Sequence, residues 1–121
     1  MNNCLFCKIA NGEIPSKTLY EDERIRVFLD IDQTQAGHTL IIPKKHYTDL
    51  DDIDEEVLFY IMKESKKFKK ILEERLKPDG IKLSQHNGCI QDVKHYHLHL
   101  IPIYNEEKKL SIEEVYELLT K

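Results

Sequence analysis

His95-Tyr96-His97-Leu98-His99-Leu100-Ile101-Pro102, near the C-terminal end of the chain, alternates three imidazoles with apolar side chains. On a β-strand successive side chains point to opposite faces, at a rise of about 3.3 Å per residue. The histidines therefore share one face, while Tyr96, Leu98 and Leu100 share the other. A strand that only had to be half-buried would fill its wet face with Thr, Lys or Glu, and a metal-scavenging histidine tract would be contiguous or disordered. This interleaving predicts a chemical site on one side of a sheet and a core on the other.

Working outward from this strand, Ile81 to Gln85 reads as another strand, and His86-Asn87-Gly88 as a loop leading through Gln91-Asp92-Val93 into the histidines. Upstream, Leu58, Ile61, Ser65, Phe68, Leu72 and Leu76 recur at steps of three or four, which predicts a long amphipathic helix. Asp51, Asp52 and Asp54 suit its N-terminal dipole, and Pro78-Asp79-Gly80 stops it. His38 to Pro43 has the density of a buried strand, and Thr18 to Glu21 with Arg24 to Asp30 reads as a hairpin around Asp22-Glu23. Cys4 to Asn11 forms a short helical turn closed by Gly12. Ser111 and Glu114 make a capping box ahead of Val115, Leu118 and Leu119, so 111–121 is a docking helix. With no internal repeat or linker, the expectation is one α+β domain over 1–121, with its core at about 4–102. Its antiparallel sheet carries one long helix and a C-terminal helix.

Composition narrows the function. The 121 residues, 40% hydrophobic and without Trp, suffice for one modest core. A formal net charge of -4 gives no basic footprint for nucleic acid, and the helix lysines are mixed with Glu64, Glu73 and Glu74. A small phosphate ligand still fits, because a few convergent donors can hold one. No apolar run approaches the roughly 20 residues that cross a bilayer, and Met1-Asn2-Asn3-Cys4 lacks a signal-peptide pattern, so no membrane contact and a cytoplasmic location are expected. In a reducing compartment Cys4, Cys7 and Cys89 point to metal binding, redox chemistry or burial before disulfides.

Two chemistries suit the imidazole row. Histidines two apart on a strand can share a catalytic zinc, but His95 and His99 lie about 13 Å apart along a regular strand, so a third ligand must come from elsewhere. Alternatively, one neutral imidazole attacks phosphorus while neighbours bind phosphate oxygens and protonate the leaving group. A pKa near 6.5 lets such a row hold a neutral nucleophile and a protonated partner together. Cys4-Leu5-Phe6-Cys7 has the spacing of half a tetrahedral metal site; two buried thiols or a redox dithiol are the other readings.

The residues His95, His97 and His99 with Tyr96, Leu98, Leu100 and Ile101 resemble the signature of the histidine triad family of nucleotide-binding hydrolases. Phe28-Leu29-Asp30-Ile31, Gly37 through His46, Asn87-Gly88 and Gln91-Asp92-Val93 follow in the family's order. The resemblance implies a homodimer built on the long helix and one strand, with a cleft for a purine nucleotide or nucleotide conjugate in each subunit. It implies His97 as the nucleophile that becomes transiently nucleotidylated, and His99 as the group that holds phosphate and assists the leaving group. Leu5, Phe6, Ile9, Phe28 and Ile31 would wall the base, Asp30 would hold the ribose, and Asn87, Gln91, Asp92 and Val93 would line the ribose-phosphate loop. A structural zinc on Cys4, Cys7, His46 and His95 is implied, with no organic cofactor, and His99 as the third triad residue implies water as acceptor. The expected activity is hydrolysis of nucleoside phosphoramidates or related conjugates; dinucleoside polyphosphate hydrolysis and a nucleotide-binding regulatory module are the alternatives. The chain departs from the family pattern in a loop two residues shorter between Gly88 and Gln91, in His86 where an asparagine commonly precedes the Asn-Gly, and in Ile103 where a basic residue is common. His38, at the start of a buried strand, reads as structural.

Overall fold

The structure, a computed structural model, describes residues 4–121; Met1, Asn2 and Asn3, part of the leader-peptide expectation, lie outside it. In chain order it contains α1 (Leu5–Ala10), β1 (Thr18–Glu21), β2 (Ile25–Leu29), β3 (Thr39–Pro43), α2 (Glu55–Leu76), β4 (Gly80–Ser84), β5 (Leu98–Ile103) and α3 (Ile112–Thr120). The strands make one five-stranded sheet in the order β1-β2-β3-β5-β4, every neighbour antiparallel. This is the expected α+β architecture.

Local chemistry sets the boundaries. At the β1–β2 turn, Asp22 Oδ1 accepts the amides of Arg24 and Ile25 at 2.8 and 3.0 Å. Asp54 caps α2 by accepting from the Glu56 amide, and Lys77, left-handed at φ 53°, ends the helix. Ser111 and Glu114 form the reciprocal capping box of α3.

Side-chain alternation divides the interior into two cores. Ile25, Val27, Leu29, Ile41, Leu98 and Leu100 pack against Ile61, Phe68, Leu72 and Leu76 of α2 and Val115 of α3. From the opposite face of the sheet, Phe28, Leu40 and Ile42 meet Phe6, Ile9 and Ala10 of α1. The sheet thus lies between α2 and α3 on one face and the short α1 on the other, and the histidine row is on the side of α1.

One expectation needs correction. The histidine strand begins at Leu98 and leaves His95 to His97 outside the ladder. The β3–β5 pairing ends at Ile41↔Leu98, and carrying it two residues further would bring the chain opposite Pro43, which has no amide to donate. The segment is anchored singly instead: the Tyr96 amide donates to the Tyr47 carbonyl at 2.7 Å, and His95 Nε2 to the Pro43 carbonyl at 2.9 Å. Alternation survives without the ladder, with Tyr96 in the main core and His97 against Phe6.

Candidate active site

The carbonyls that anchor the segment also fix its imidazoles. A carbonyl only accepts, so His97 Nδ1, 2.8 Å from the His95 carbonyl, carries the ring proton and leaves the lone pair on Nε2. That Nε2 lies 3.8 Å from the Asp92 carboxylate, which is itself exposed. Phe6 stands edge-on over the ring at a centroid distance of 4.9 Å, and His97 is 2% exposed. His97 is therefore a buried, neutral imidazole with one free nitrogen beside a carboxylate.

His99 follows with its ring centroid 4.8 Å from that of His97. Its Nδ1 is 2.9 Å from Nε2 of His38, and its Nε2 is buried without a partner. His38 Nε2 is in turn 3.7 Å from Asp30 Oδ2. His38 was read from sequence as structural; the fold makes it the neighbour of the third triad residue. Nothing local signals this, because the two histidines are 61 positions apart and meet only through the β3–β5 register Leu40↔His99. On the other flank of His99 lies the His86 ring, at 4.9 Å.

Burial sets the charge of the row. It lowers His95 and His99 to about 4 and holds His97 and His38 below the ordinary imidazole value. For His38, the neighbouring Asp30 and Asp32 offset part of that effect. The expectation of one protonated partner near neutral pH is thus corrected: desolvation favours the neutral form of His95, His97, His99 and His38.

A cavity of about 610 Å³ opens beside the triad. Of the predicted residues, Leu5, Phe6, Ile9, Phe28, Asp30, Ile31, Asp92 and Val93 line it; Ile14, Lys17, Leu40 and Ile112 complete walls that the sequence had not assigned. Phe28 is both wall and core. His97 and His99 sit behind the lining, next to Asp92. The Asp92 carboxylate accepts the Val93 amide at 2.9 Å, so an anion already occupies the donor that the phosphate was expected to use.

Asn87 and Gln91 go elsewhere. Asn87 Oδ1 accepts the Leu50 amide at 3.0 Å, and Gln91, 3% exposed, donates from Nε2 to the Thr48 carbonyl at 2.6 Å. Neither lines the cavity. Both brace the shortened loop against residues 48–50. Asp30 does two jobs: Oδ1 accepts the Asp32 amide at 2.9 Å, while Oδ2 faces His38.

Cys4, Cys7, His46 and His95 converge, with one ligand atom from each lying within 4.8 Å of the others. The S···Nδ1 distances are 3.4 Å for Cys4–His95, 3.2 Å for Cys7–His46 and 3.4 Å for Cys7–His95. Tetrahedral ligation with ordinary Zn–S and Zn–N lengths requires about 3.5 Å. His95 Nε2 is already committed to Pro43, which leaves Nδ1 as the ligating atom. Burial, with the hydrogen bond and charge of Cys4, pushes the Cys7 thiol up to about 11, so that thiol stays protonated unless a cation is held there. A reactive dithiol would need the opposite shift. The donor set fits a divalent metal.

Comparison with known proteins names the family to which this sheet order and histidine constellation belong. The HIT domain family model matches residues 11–106, and the chain belongs to that family. An uncharacterised HIT-like protein of Methanocaldococcus jannaschii is 42% identical over 93% of this chain and 95% of its own. The adenosine 5'-monophosphoramidase of Saccharomyces cerevisiae is 43% identical over 90% of this chain and 68% of its own. Among solved structures, a zinc-bound histidine triad family protein from Mycobacterium smegmatis superposes with a TM-score of 0.88 at 33% identity, covering 98% of this chain and 91% of that one.

Proposed function

We propose that the protein is a hydrolase of nucleoside phosphoramidates or related nucleotide conjugates, acting at the α-phosphorus through a covalent nucleotidyl-His97 intermediate. The observation that carries this reading is the fixed tautomer of His97, whose Nδ1–H is held by the His95 carbonyl and whose Nε2 faces a spot already taken by a carboxylate. A yeast relative named as an adenosine 5'-monophosphoramidase supports the reaction class.

In the first half-reaction the Nε2–P bond forms and the bond from phosphorus to the leaving nitrogen breaks, its electron pair staying on the amine. The His38–His99 pair takes up one proton from solvent as the anionic phosphate binds beside it, His99 Nε2 passes that proton to the leaving amine, and the hydrogen bond between His38 Nε2 and His99 Nδ1 leaves both rings neutral again. In the second, water attacks phosphorus, the P–His97 bond breaks, and the water proton returns to the imidazoles. The phosphate displaces the Asp92 carboxylate from the Val93 amide. The base lies in the apolar cavity, with Asp30 toward the ribose.

We assign the tetrad of Cys4, Cys7, His46 and His95 to a structural zinc, which when bound would tie α1 to the histidine segment. Metal analysis of the purified protein is expected to give about one zinc per chain; none, with both thiols freely reactive, contradicts the assignment. A second copy of the chain is the partner we read for the exposed apolar face of α2 and β4.

The reading is tested by His97→Ala. AMP release from an adenosine phosphoramidate should fall by at least about 10³-fold while AMP affinity changes little, because imidazole attack acts on the transition state and not on ground-state binding. Turnover persisting in that variant would overturn it.

A further inference from the structure

His86 is the one imidazole in this neighbourhood that the proposed reaction leaves without a task. It is half-buried at the end of β4, where Ser84 pairs with His99 across the ladder and the chain then turns over the triad. Its ring lies 4.9 Å from that of His99 at an interplanar angle of 32°, while His38 lies on the other flank at 5.2 Å and 38°. His99 is thus held between two imidazoles. His38 takes its Nδ1; the Nε2, buried and unpartnered, is the atom aimed at the reacting group.

The carboxylates of the site are distributed unevenly around these rings. Asp30 lies within 4 Å of His38 and Asp92 within 4 Å of His97, whereas among the described residues none comes that close to His86. Among the described residues its only side-chain contact of hydrogen-bond type is Nε2 to Ser84 Oγ, at a weak 3.5 Å. An imidazole with spare donor capacity and no counter-charge, placed beside the proton-handling histidine, suits an anionic neighbour.

We propose that His86 is a specificity-determining residue that contacts the leaving group and raises turnover of phosphate-oxyanion leaving groups relative to neutral amines, so that nucleotide conjugates joined through phosphate are cleaved beside phosphoramidates. This rests on the reading of the site as a nucleotidyl-transferring hydrolase. When a polyphosphate departs, the P–O bond breaks and the electron pair stays on an oxygen that needs charge stabilisation more than a proton. A ring N–H from His86 supplies that stabilisation. An amine, by contrast, must take up a proton, which His99 provides, and gains little from a second donor. Alanine, with no donor to offer, would treat the two classes more evenly.

The test compares kcat/KM for diadenosine tetraphosphate and for an adenosine phosphoramidate with a neutral alkylamine leaving group, in the wild-type protein, in His86→Ala and in His86→Gln. A hydrogen bond to a charged group predicts that the polyphosphate-to-phosphoramidate ratio falls about tenfold or more in His86→Ala and is partly restored in His86→Gln, whose amide can donate. The ratio, unlike either rate, is unmoved by partial misfolding, and thermal melting monitors the fold alongside. A ratio within about twofold of wild type in His86→Ala overturns the inference, as does wild-type protein that cleaves the phosphoramidate and leaves diadenosine tetraphosphate intact. If wild type cleaves neither and His97 is never modified, the hydrolase reading itself fails and this inference fails with it.

Discussion

At the scale of single residues the protein works by controlling which imidazole nitrogen is free. His97 and His95 are each fixed by one backbone carbonyl, so a carbonyl position decides which ring nitrogen is left free, Nε2 in His97 and Nδ1 in His95, the atoms on which the proposed nucleophile and metal ligand rest. Burial of these rings has a measurable consequence. His99 has a folded-state value of about 4, against about 6.5 for an unperturbed imidazole, with burial as the main cause and the neighbouring histidines as the next. The unfolded chain therefore takes up this proton first as pH falls, and the associated stability, fully present above about 6.5, is lost progressively down to about 4. Denaturation midpoints measured between pH 7 and 4 should fall along that window, with a shallower slope in His99→Gln; an unchanged slope would contradict the assignment. The triad and the Cys4–Cys7 pair were legible in sequence because their spacing is local. His38 was not, since its chemistry depends on a partner supplied by sheet register. Asn87 and Gln91 were assigned to the ligand by resemblance; their hydrogen bonds to Leu50 and Thr48 were not legible, because those partners lie 37 and 43 positions away.

At the scale of elements, the turn into β3 positions His38, and it hangs on Gly37. This residue has φ +95°, and its amide donates to Gln33 Oε1 at 2.9 Å. A Cβ there would lie 2.5 Å from Leu76 Cδ1 and 3.1 Å from Pro102 Cγ, so there is neither conformational freedom nor space for a side chain. Gly37→Ala should cost about 2–4 kcal/mol in chemical denaturation. Gly12, with φ +87° and open space around it, bears only the conformational term, so Gly12→Ala should cost about 1–2 kcal/mol. Equal losses would show that the packing against Leu76 is unimportant. The helices and most strands were legible from periodicity and caps: Asp54 and Ser111 cap where the pattern begins. The start of β5 was not, because alternation describes side chains, and ladder pairing there also depends on Pro43 in a different strand.

At the scale of the whole molecule, one sheet separates a packing core from a chemical face, and its β4 edge remains open. Phe59 and Met62 of α2 and Leu83 of β4 are 66%, 44% and 38% exposed and line one shallow groove. A contiguous apolar patch on an edge strand is a typical assembly surface. We expect Phe59→Glu to shift the sedimentation coefficient from that of a dimer to that of a monomer; a wild-type protein already monomeric at micromolar concentration would contradict the partner reading. No helix among the described residues is long and apolar enough to cross a membrane.

The central claim is that His97 carries the nucleotide between the two half-reactions. Mass spectrometry of protein quenched rapidly without acid, after mixing with an adenosine phosphoramidate, tests it most directly when wild type and His97→Ala are compared and AMP is followed in parallel. The account predicts a transient AMP adduct that maps to His97 in wild type, forms no more slowly than AMP appears, and is missing from the variant. AMP released at the full rate with no adduct on any histidine would contradict it.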